Sequence, residues 1–382
     1  MTTPTSVTET TATLETPLTS LCLSAGARLD LELYSGMLTP RRLDAPEAET
    51  EAVLHGAAVH DLGWRRRIAV RGEDRQRWLS GMVTNTVEGL PDNSGAYNLV
   101  LNAQGRIQGD CLVWRCGEAL EIEIAVDQSD ALLAHFDRFI IMDDVELVPL
   151  DGLTALGLTG PKSDTLLESI GLPALPEWAA GESMPFHAAE QSFSVQMRRG
   201  YGRLVPHYSL WVERAHLFAL WQTLRAAGAT IIGAETIERL RIVEGIATYG
   251  VDFTSHELPQ ETAQTHAIHF AKGCYLGQEI VERIRSRGQV HRHLRALEIF
   301  PDGGKTAPAV ATELFLENRN PNNGKPAAKL TSVTMLNPML NHSPKTHFFA
   351  LGIVRAEAEV GDTALHYQGG TARILKSPPQ LS

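Results

Sequence analysis

Lys272-Gly273-Cys274-Tyr275-Leu276-Gly277-Gln278-Glu279 is the stretch on which the reading of this chain turns. Two glycines bracket a Cys-Tyr pair at a turn that enters a helix continuing through Ile280 and Ile284. A thiol at a helix N-terminus sits at the positive end of the macrodipole, and Lys272 adds a cation, so both favour thiolate and a reactive or ligand-forming Cys274. The same letters equally describe a small buried cysteine in a tight turn whose glycines only supply positive φ. His256, His266 and His269 lie nearby, but with Cys274 they match no standard zinc spacing, so no metal is assigned.

Just beyond this motif, residues 283–295 carry five arginines (Arg283, Arg285, Arg287, Arg292 and Arg295), His291 and His293, and no acidic residue. The whole chain is the opposite: 382 residues with 45 Asp plus Glu against 34 Lys plus Arg, a formal charge of −11. That balance excludes a dedicated nucleic-acid binder on overall charge, while the local stretch suits an anionic partner such as a carboxylate, a phosphate or an RNA backbone. A helix C-terminus followed by a solvated linker would use the same cations on exposed carbonyls. Hydrophobic content of 43% with 21% charged residues is ordinary globular usage, and the length suggests two or three packed units. Four cysteines without a CxxC pair predict a reducing compartment, hence the cytoplasm. No apolar run approaches the roughly 18 residues of a membrane helix. The Thr-rich start has no Lys or Arg before Arg28, fits neither a signal nor a transit peptide, and is read as a disordered tail over residues 1–24.

Working toward the N-terminus, residues 74–83 place Trp78 with Met82 and Leu79 with Val83 on one helical face. From Tyr97 the period becomes two, through Leu99 and Leu101, a turn at Asn102-Ala103-Gln104-Gly105, and residues 107–114: a β-hairpin. Asp110 sits on it between Gly109 and Cys111. Buried there, its carboxylate would bind a protonated nitrogen heterocycle or act as acid and base with a raised pKa; facing outward it would do neither. Leu120, Ile122, Ile124 and Val126 alternate with Glu121 and Glu123, which predicts a strand with one wet face. A helix over 129–141 and a strand over 145–150 follow. A second series has strands near 153, 193–197 and 208–212, with helices after Pro161, over 215–227 and over 235–246. Its irregular order favours α+β layers over a doubly wound sheet. After Arg295, Gly- and Pro-rich turns punctuate short β-rich runs such as 349–354, which suits a small barrel or sandwich.

Residues 272–279, read as KGCYxGQE, resemble the signature of the YgfZ-type folate-binding proteins, a branch of the glycine-cleavage T-protein (aminomethyltransferase) superfamily linked to maintenance of iron–sulfur enzymes. Residues 70–87 resemble the superfamily's early G-x-D to V-T-N block, and residues 97–113 its LLN-x-x-G-x-x-x-D hairpin. Arg241 to Ile246 with Tyr249-Gly250 and Asp252 resemble its R-x-E-x-G and Y-G-x-D segment, with the Glu shifted by one. Residues 329–332 and 351–354 look like its C-terminal barrel. The resemblance implies an α+β fold of interleaved ferredoxin-like, antiparallel-sheet subdomains around a central channel over 25–288, closed by a β-barrel module over 289–382. It implies tetrahydrofolate in the channel near Tyr97, Asn98, Asp110 and Arg241, with Cys274 at its mouth.

Two departures matter. Aminomethyltransferases carry an Asp-Asp pair where this chain has Gly109-Asp110, and a Gly-Tyr-Thr-Gly-Glu segment where Gly200-Tyr201-Gly202-Arg203 offers an arginine. The expectation is therefore a cytoplasmic tetrahydrofolate-binding accessory protein whose partners are iron–sulfur client or assembly proteins, rather than a glycine-cleavage aminomethyltransferase. A true one-carbon transferase and an RNA-binding accessory of tRNA modification are the alternatives.

Overall fold

Short runs that alternate apolar and polar residues make sheets, and each apolar sheet face needs a cover. In the computed structural model, which describes residues 14–379 apart from 189–190, 289, 305, 317–323, 338, 341–342, 345 and 362, this requirement produces two layered sheets and a barrel. The chain begins with α1 (Pro17–Ser24), a hairpin of β1 (Asp30–Tyr34) and β2 (Met37–Arg42), α2 (Pro46–His55) and β3 (Ala58–Asp61). It then enters the first large sheet with β4 (Arg65–Arg71), α3 (Arg75–Met82), β5 (Ser94–Leu101), β6 (Ile107–Cys116), β7 (Ala119–Ala125), α4 (Val126–Asp137) and β8 (Glu146–Pro149). The strand order is β5-β6-β7-β4-β8, antiparallel throughout, and Ile68, Val113, Ile122 and Ile124 lie beneath Leu79, Met82, Leu132 and Phe136 of the two helices.

The second sheet takes β9 (Leu153–Thr159), α5 (Ser163–Ser169), β10 (Ala180–Ala188), β11 (Gln191–Arg199), β12 (His207–Glu213), α6 (Leu217–Ala226) and β13 (Thr230–Ile231). Its order, β10-β11-β12-β9-β3-β13, inserts β3 from far upstream between β9 and β13. The two halves interleave because the chain leaves one sheet at Asp61 and enters the other at Arg65. After α7 (Ala234–Glu244), which ends on Gly245 at φ +73, and α8 (Gln278–Arg287), a closed barrel follows. Its strands are β14 (Arg292–Pro301), β15 (Glu313–Leu316), β16 (Ala328–Leu336), β19 (His347–Arg355), β20 (Leu365–Tyr367) and β21 (Gly370–Ile374), after a small hairpin of β17 (Met339–Leu340) and β18 (Ser343–Pro344) is passed between β16 and β19. The two sequence runs that resemble a barrel are paired neighbours in it, Leu330 opposite Gly352 and Lys329 opposite Ile353. Leu99, Ile107, Val243 and Tyr275 join Leu294, Phe349 and Leu351 in one apolar cluster, so the barrel is packed against the layered core.

Two expectations are corrected. Within the expected tail 1–24, residues 17–24 form α1: Thr16 caps it by accepting from the Thr19 N–H, and Leu18 is fully buried; the part of that tail over 1–13 lies outside the described residues. The acidic face of β7 is not wet. Glu121 and Glu123 are 7% and 2% exposed and face the second sheet, where Arg198 of β11 ion-pairs with both; Arg67 binds Glu121 and Arg65 binds Glu123 at 2.7 Å. Buried carboxylates need such partners, and the guanidinium groups come from strands distant in sequence.

Candidate functional site

A cavity of about 250 Å³ opens where the two sheets and α7 meet. Strand alternation places Tyr97 of β5 and Asp110 of β6 on its wall. The Tyr97 hydroxyl donates to Asp110 Oδ2 at 2.7 Å, and Gln128 Nε2 from α4 donates to Oδ1 at 2.9 Å. Gln128 closes the bracket by accepting the Asp110 N–H at 3.0 Å through Oε1. Gln264 Nε2 donates to the Tyr97 oxygen at 3.3 Å. Seclusion from bulk water raises the Asp110 pKa, with the Tyr97 and Gln128 hydrogen bonds working against that rise; burial and the Asp110 charge push the Tyr97 hydroxyl well up. The pair is a sheltered carboxyl group poised to accept from a ligand N–H.

Aromatic rings build much of the remaining wall. Tyr201 stacks on His266 with centroids 4.6 Å apart, His266 meets Tyr97 at 5.4 Å, and Trp178 lies nearly parallel to Tyr201 at 6.2 Å. Tyr201 and His266 also line a second cavity of about 500 Å³ at the junction with the barrel, bordered by Arg203, Arg295 and Lys376, so the two spaces share a rim. Together they lie in the size range of small-molecule sites, roughly 300–1,000 Å³. Glu244, which also lines the inner cavity, is fully buried; its Oε1 accepts backbone N–H groups of Arg203, Leu204 and Val205, and Oε2 meets His207 Nε2 at 2.8 Å. Burial alone would raise its pKa, but His207 and those N–H groups overcome it and hold the carboxyl below its usual value.

Several expected site residues stand elsewhere. Asn98 is adjacent to Tyr97 on a strand and therefore faces away; fully buried, it accepts the Asn85 N–H at 2.8 Å and donates to Ala96 O. Arg241 reaches the cavity wall, but its five N–H donors are all engaged, by Glu238 twice, Ile246 O, Asp252 and Ser332, so it clamps α7 to the barrel and offers a ligand nothing. Cys274 is exposed and lines neither cavity. In the basic stretch, Arg292 pairs with Glu261 and Glu257, Arg295 with Glu359, and Arg285 with Glu282; Arg283 is exposed. No group of three or more His, Cys, Asp or Glu stands together to hold a metal among the described residues.

The signature loop is instead a docking device. Lys272 Nζ donates to the carbonyls of Ser80, Val83 and Asn85 at 2.5–2.8 Å, and burial lowers its pKa to about 8. Leu276 N–H bonds Gly81 O at 2.9 Å, and Tyr275 is buried in the cluster beneath the barrel. Gly277 has φ +81, and a Cβ there would stand 2.5 Å from the carbonyl oxygen of Asn102 in the β5–β6 turn. Gln278 Oε1 accepts the Tyr275 N–H. The loop thus ties α8 to the hairpin that carries Tyr97 and Asp110, while Gly273, Cys274 and Glu279 face solvent.

Gln128, Gln264, His266 and Trp178 were not expected as site residues. They come from three segments, α4, the loop before β10 and the turn over 264–267, and a lone Gln or Trp within a helix, turn or loop carries no period that marks it. An interleaved α+β core thus encloses an aromatic cavity whose wall carries the sheltered carboxyl groups of Asp110 and Glu244. The GCVT N-terminal domain matches residues 32–272, and the chain belongs to that family. An aminomethyltransferase of Rubrobacter xylanophilus is 27% identical over 275 residues, 72% of this chain and 73% of that one. An aminomethyltransferase of Shouchella clausii is 26% identical and matches across 96% and 98% of the two chains. The glycine cleavage system aminomethyltransferase T of Bartonella henselae has the same fold, with a TM-score of 0.78 over 96% of this chain and 98% of that one at 19% identity. No helix among the described residues is long and apolar enough to cross a membrane.

Proposed function

We propose that this chain binds tetrahydrofolate in the central cavity and acts as an accessory protein of the YgfZ type, supporting assembly or repair of iron–sulfur clusters in client enzymes. The observation that carries the reading is the Tyr97–Asp110–Gln128 bracket: one sheltered carboxyl group among stacked rings fits a planar heterocycle rich in N–H groups. Asp110 accepts from the ring, Tyr97 and Gln128 hold its orientation, and the larger outer cavity gives the rest of the molecule room. Cys274 and Arg283, both exposed, leave a thiol and a cation available to a client or assembly protein and to an anionic partner. In a strain lacking the protein, iron–sulfur enzyme activity under oxidative stress should fall. Wild type should restore it and Asp110→Asn should not; equal rescue by both would remove the folate part of the reading.

A second reading, folate-dependent aminomethyl transfer, is favoured by the likeness to the aminomethyltransferases of Rubrobacter xylanophilus and Shouchella clausii. Here Asp110 would steer a one-carbon unit from an amine donor to the folate nitrogens. Incubation of the pure protein with tetrahydrofolate and an aminomethyl donor decides it, because failure to form methylenetetrahydrofolate eliminates transfer while leaving binding intact.

A further inference from the structure

Arg65 is a cation on the lining of the central cavity that the folate reading leaves without a task. It opens β4, and its neighbour Trp64 fixes its place. The Trp64 N–H donates to Asp61 O at 3.2 Å, the indole meets Tyr34 edge-on at 5.3 Å, and the Arg65 guanidinium lies 4.9 Å over the indole face. Nη1 holds Glu123 at 2.7 Å and Nε is enclosed, whereas Nη2 keeps accessible surface and has no partner among the described residues. Groups on three sides of the void register the charge. Tyr34, His60 and Asp110 line it from β1, β3 and β6; burial raises the pKa of Tyr34 and Asp110 and lowers that of His60, and in all three the Arg65 charge pulls the value down.

The ion cluster between the two sheets supplies the second observation. Two carboxylates, Glu121 and Glu123, meet three guanidinium groups, Arg65, Arg67 and Arg198, so one positive charge is left over. Uncompensated charge is costly when enclosed. The Arg67 and Arg198 side chains are 3% and 0% exposed and neither lines the cavity, so Arg65 is the member through which the cluster meets the void. Asp110 does not discharge it: its oxygens are taken by Tyr97 and Gln128, and no ion pair joins it to Arg65.

We propose that Arg65 anchors a second subsite of the central cavity, which takes a small, singly charged carboxylate alongside the folate: Nη2 donates to the carboxylate, while Leu62 and Trp64 receive its short apolar remainder. The inference goes beyond the folate reading, which uses neither Arg65 nor an anion in this part of the cavity. One surplus charge on a planar fork matches a planar monoanion. A phosphate monoester, at about −1.5 to −2, overshoots that charge, and chloride has no plane to match.

Saturation-transfer NMR on the full-length protein, with and without tetrahydrofolate, tests this by titrating acetate against its neutral isostere acetamide in wild type, Arg65→Lys and Arg65→Gln. The thermal midpoint of each protein is recorded. Wild type should bind acetate at least about tenfold more tightly than acetamide, and tetrahydrofolate should not displace it. Arg65→Lys keeps a point charge without the fork and should bind about threefold more weakly. Arg65→Gln can still donate to Glu123 but carries no charge, and should lose at least about tenfold. Should that variant melt early, wild type decides alone: acetate should protect Arg65 from phenylglyoxal, read by peptide mass spectrometry, and acetamide should not. Equal binding of acetate and acetamide, displacement of acetate by tetrahydrofolate or by chloride at equal concentration, a folded Arg65→Gln that binds like wild type, or an Arg65 that phenylglyoxal does not reach would each overturn the proposal. Wild type that binds tetrahydrofolate but no acetate would remove the subsite and leave the folate reading standing; acetate binding without tetrahydrofolate binding would do the reverse.

Discussion

The signature loop and the central cavity make opposite use of their residues. In the loop, eight consecutive residues supply a buried ammonium on three carbonyls, a buried tyrosine and a glycine pressed against the hairpin turn, so most of its chemistry is consumed inside the protein. In the cavity, residues from β5, β6, α4 and three loops converge to leave a sheltered acid among stacked rings beside a void. A contiguous motif advertises its own packing, whereas a ligand site is assembled by the fold.

Four variants press on that contrast, from the largest expected effect to the smallest. Gly277→Ala places a Cβ against Asn102 O in a left-handed residue and should lower unfolding free energy by about 3 kcal/mol, read by urea denaturation. Lys272→Met leaves three carbonyls without a donor and should cost about 1–3 kcal/mol, softened because a buried cation is also removed. An unchanged midpoint in both would mean that the loop does not hold the hairpin.

Asp110→Asn should act in the opposite sense on stability. The folded-state pKa of Asp110 is raised, so at pH above it the wild type carries a penalty that the unfolded chain lacks; below the unfolded value the penalty is absent. The variant's stability advantage should therefore be present at neutral pH and fade as pH falls through the raised pKa toward about 4. An advantage that grows on acidification would contradict a sheltered carboxyl group. Cys274→Ser should shift stability by less than about 0.5 kcal/mol, as for an exposed side chain without contacts to lose. A large loss would show that the loop depends on its thiol.

Much of the architecture was legible because periodicity is local. The hairpin, the helix at 75–82 and the barrel strands appear within a few residues of where their patterns put them, and the helix predicted at 129–141 runs Val126–Asp137. Two of the errors share one cause, partners far away in sequence. Alternation made Glu121 a solvent residue because Arg198, which neutralises it, stands 77 positions away. Arg241 read as a ligand group because the clamp of Asp252 and Ser332 forms only when the barrel docks. Asn98 is an error of parity, since it alternates with Tyr97 along β5 and its amide is spent on Asn85 and Ala96. Trp178 carried no signal at all: positive φ in a tryptophan is written by the contact between two sheets, not by its own letters.

The central claim is that the cavity holds a reduced folate through Asp110, and calorimetric titration of the full-length protein with tetrahydrofolate tests it most directly. The prediction is saturable, one-to-one binding by wild type that weakens at least about tenfold in Asp110→Asn while that variant stays folded. A folded wild type that gives no binding, or a variant that binds equally well, would contradict it.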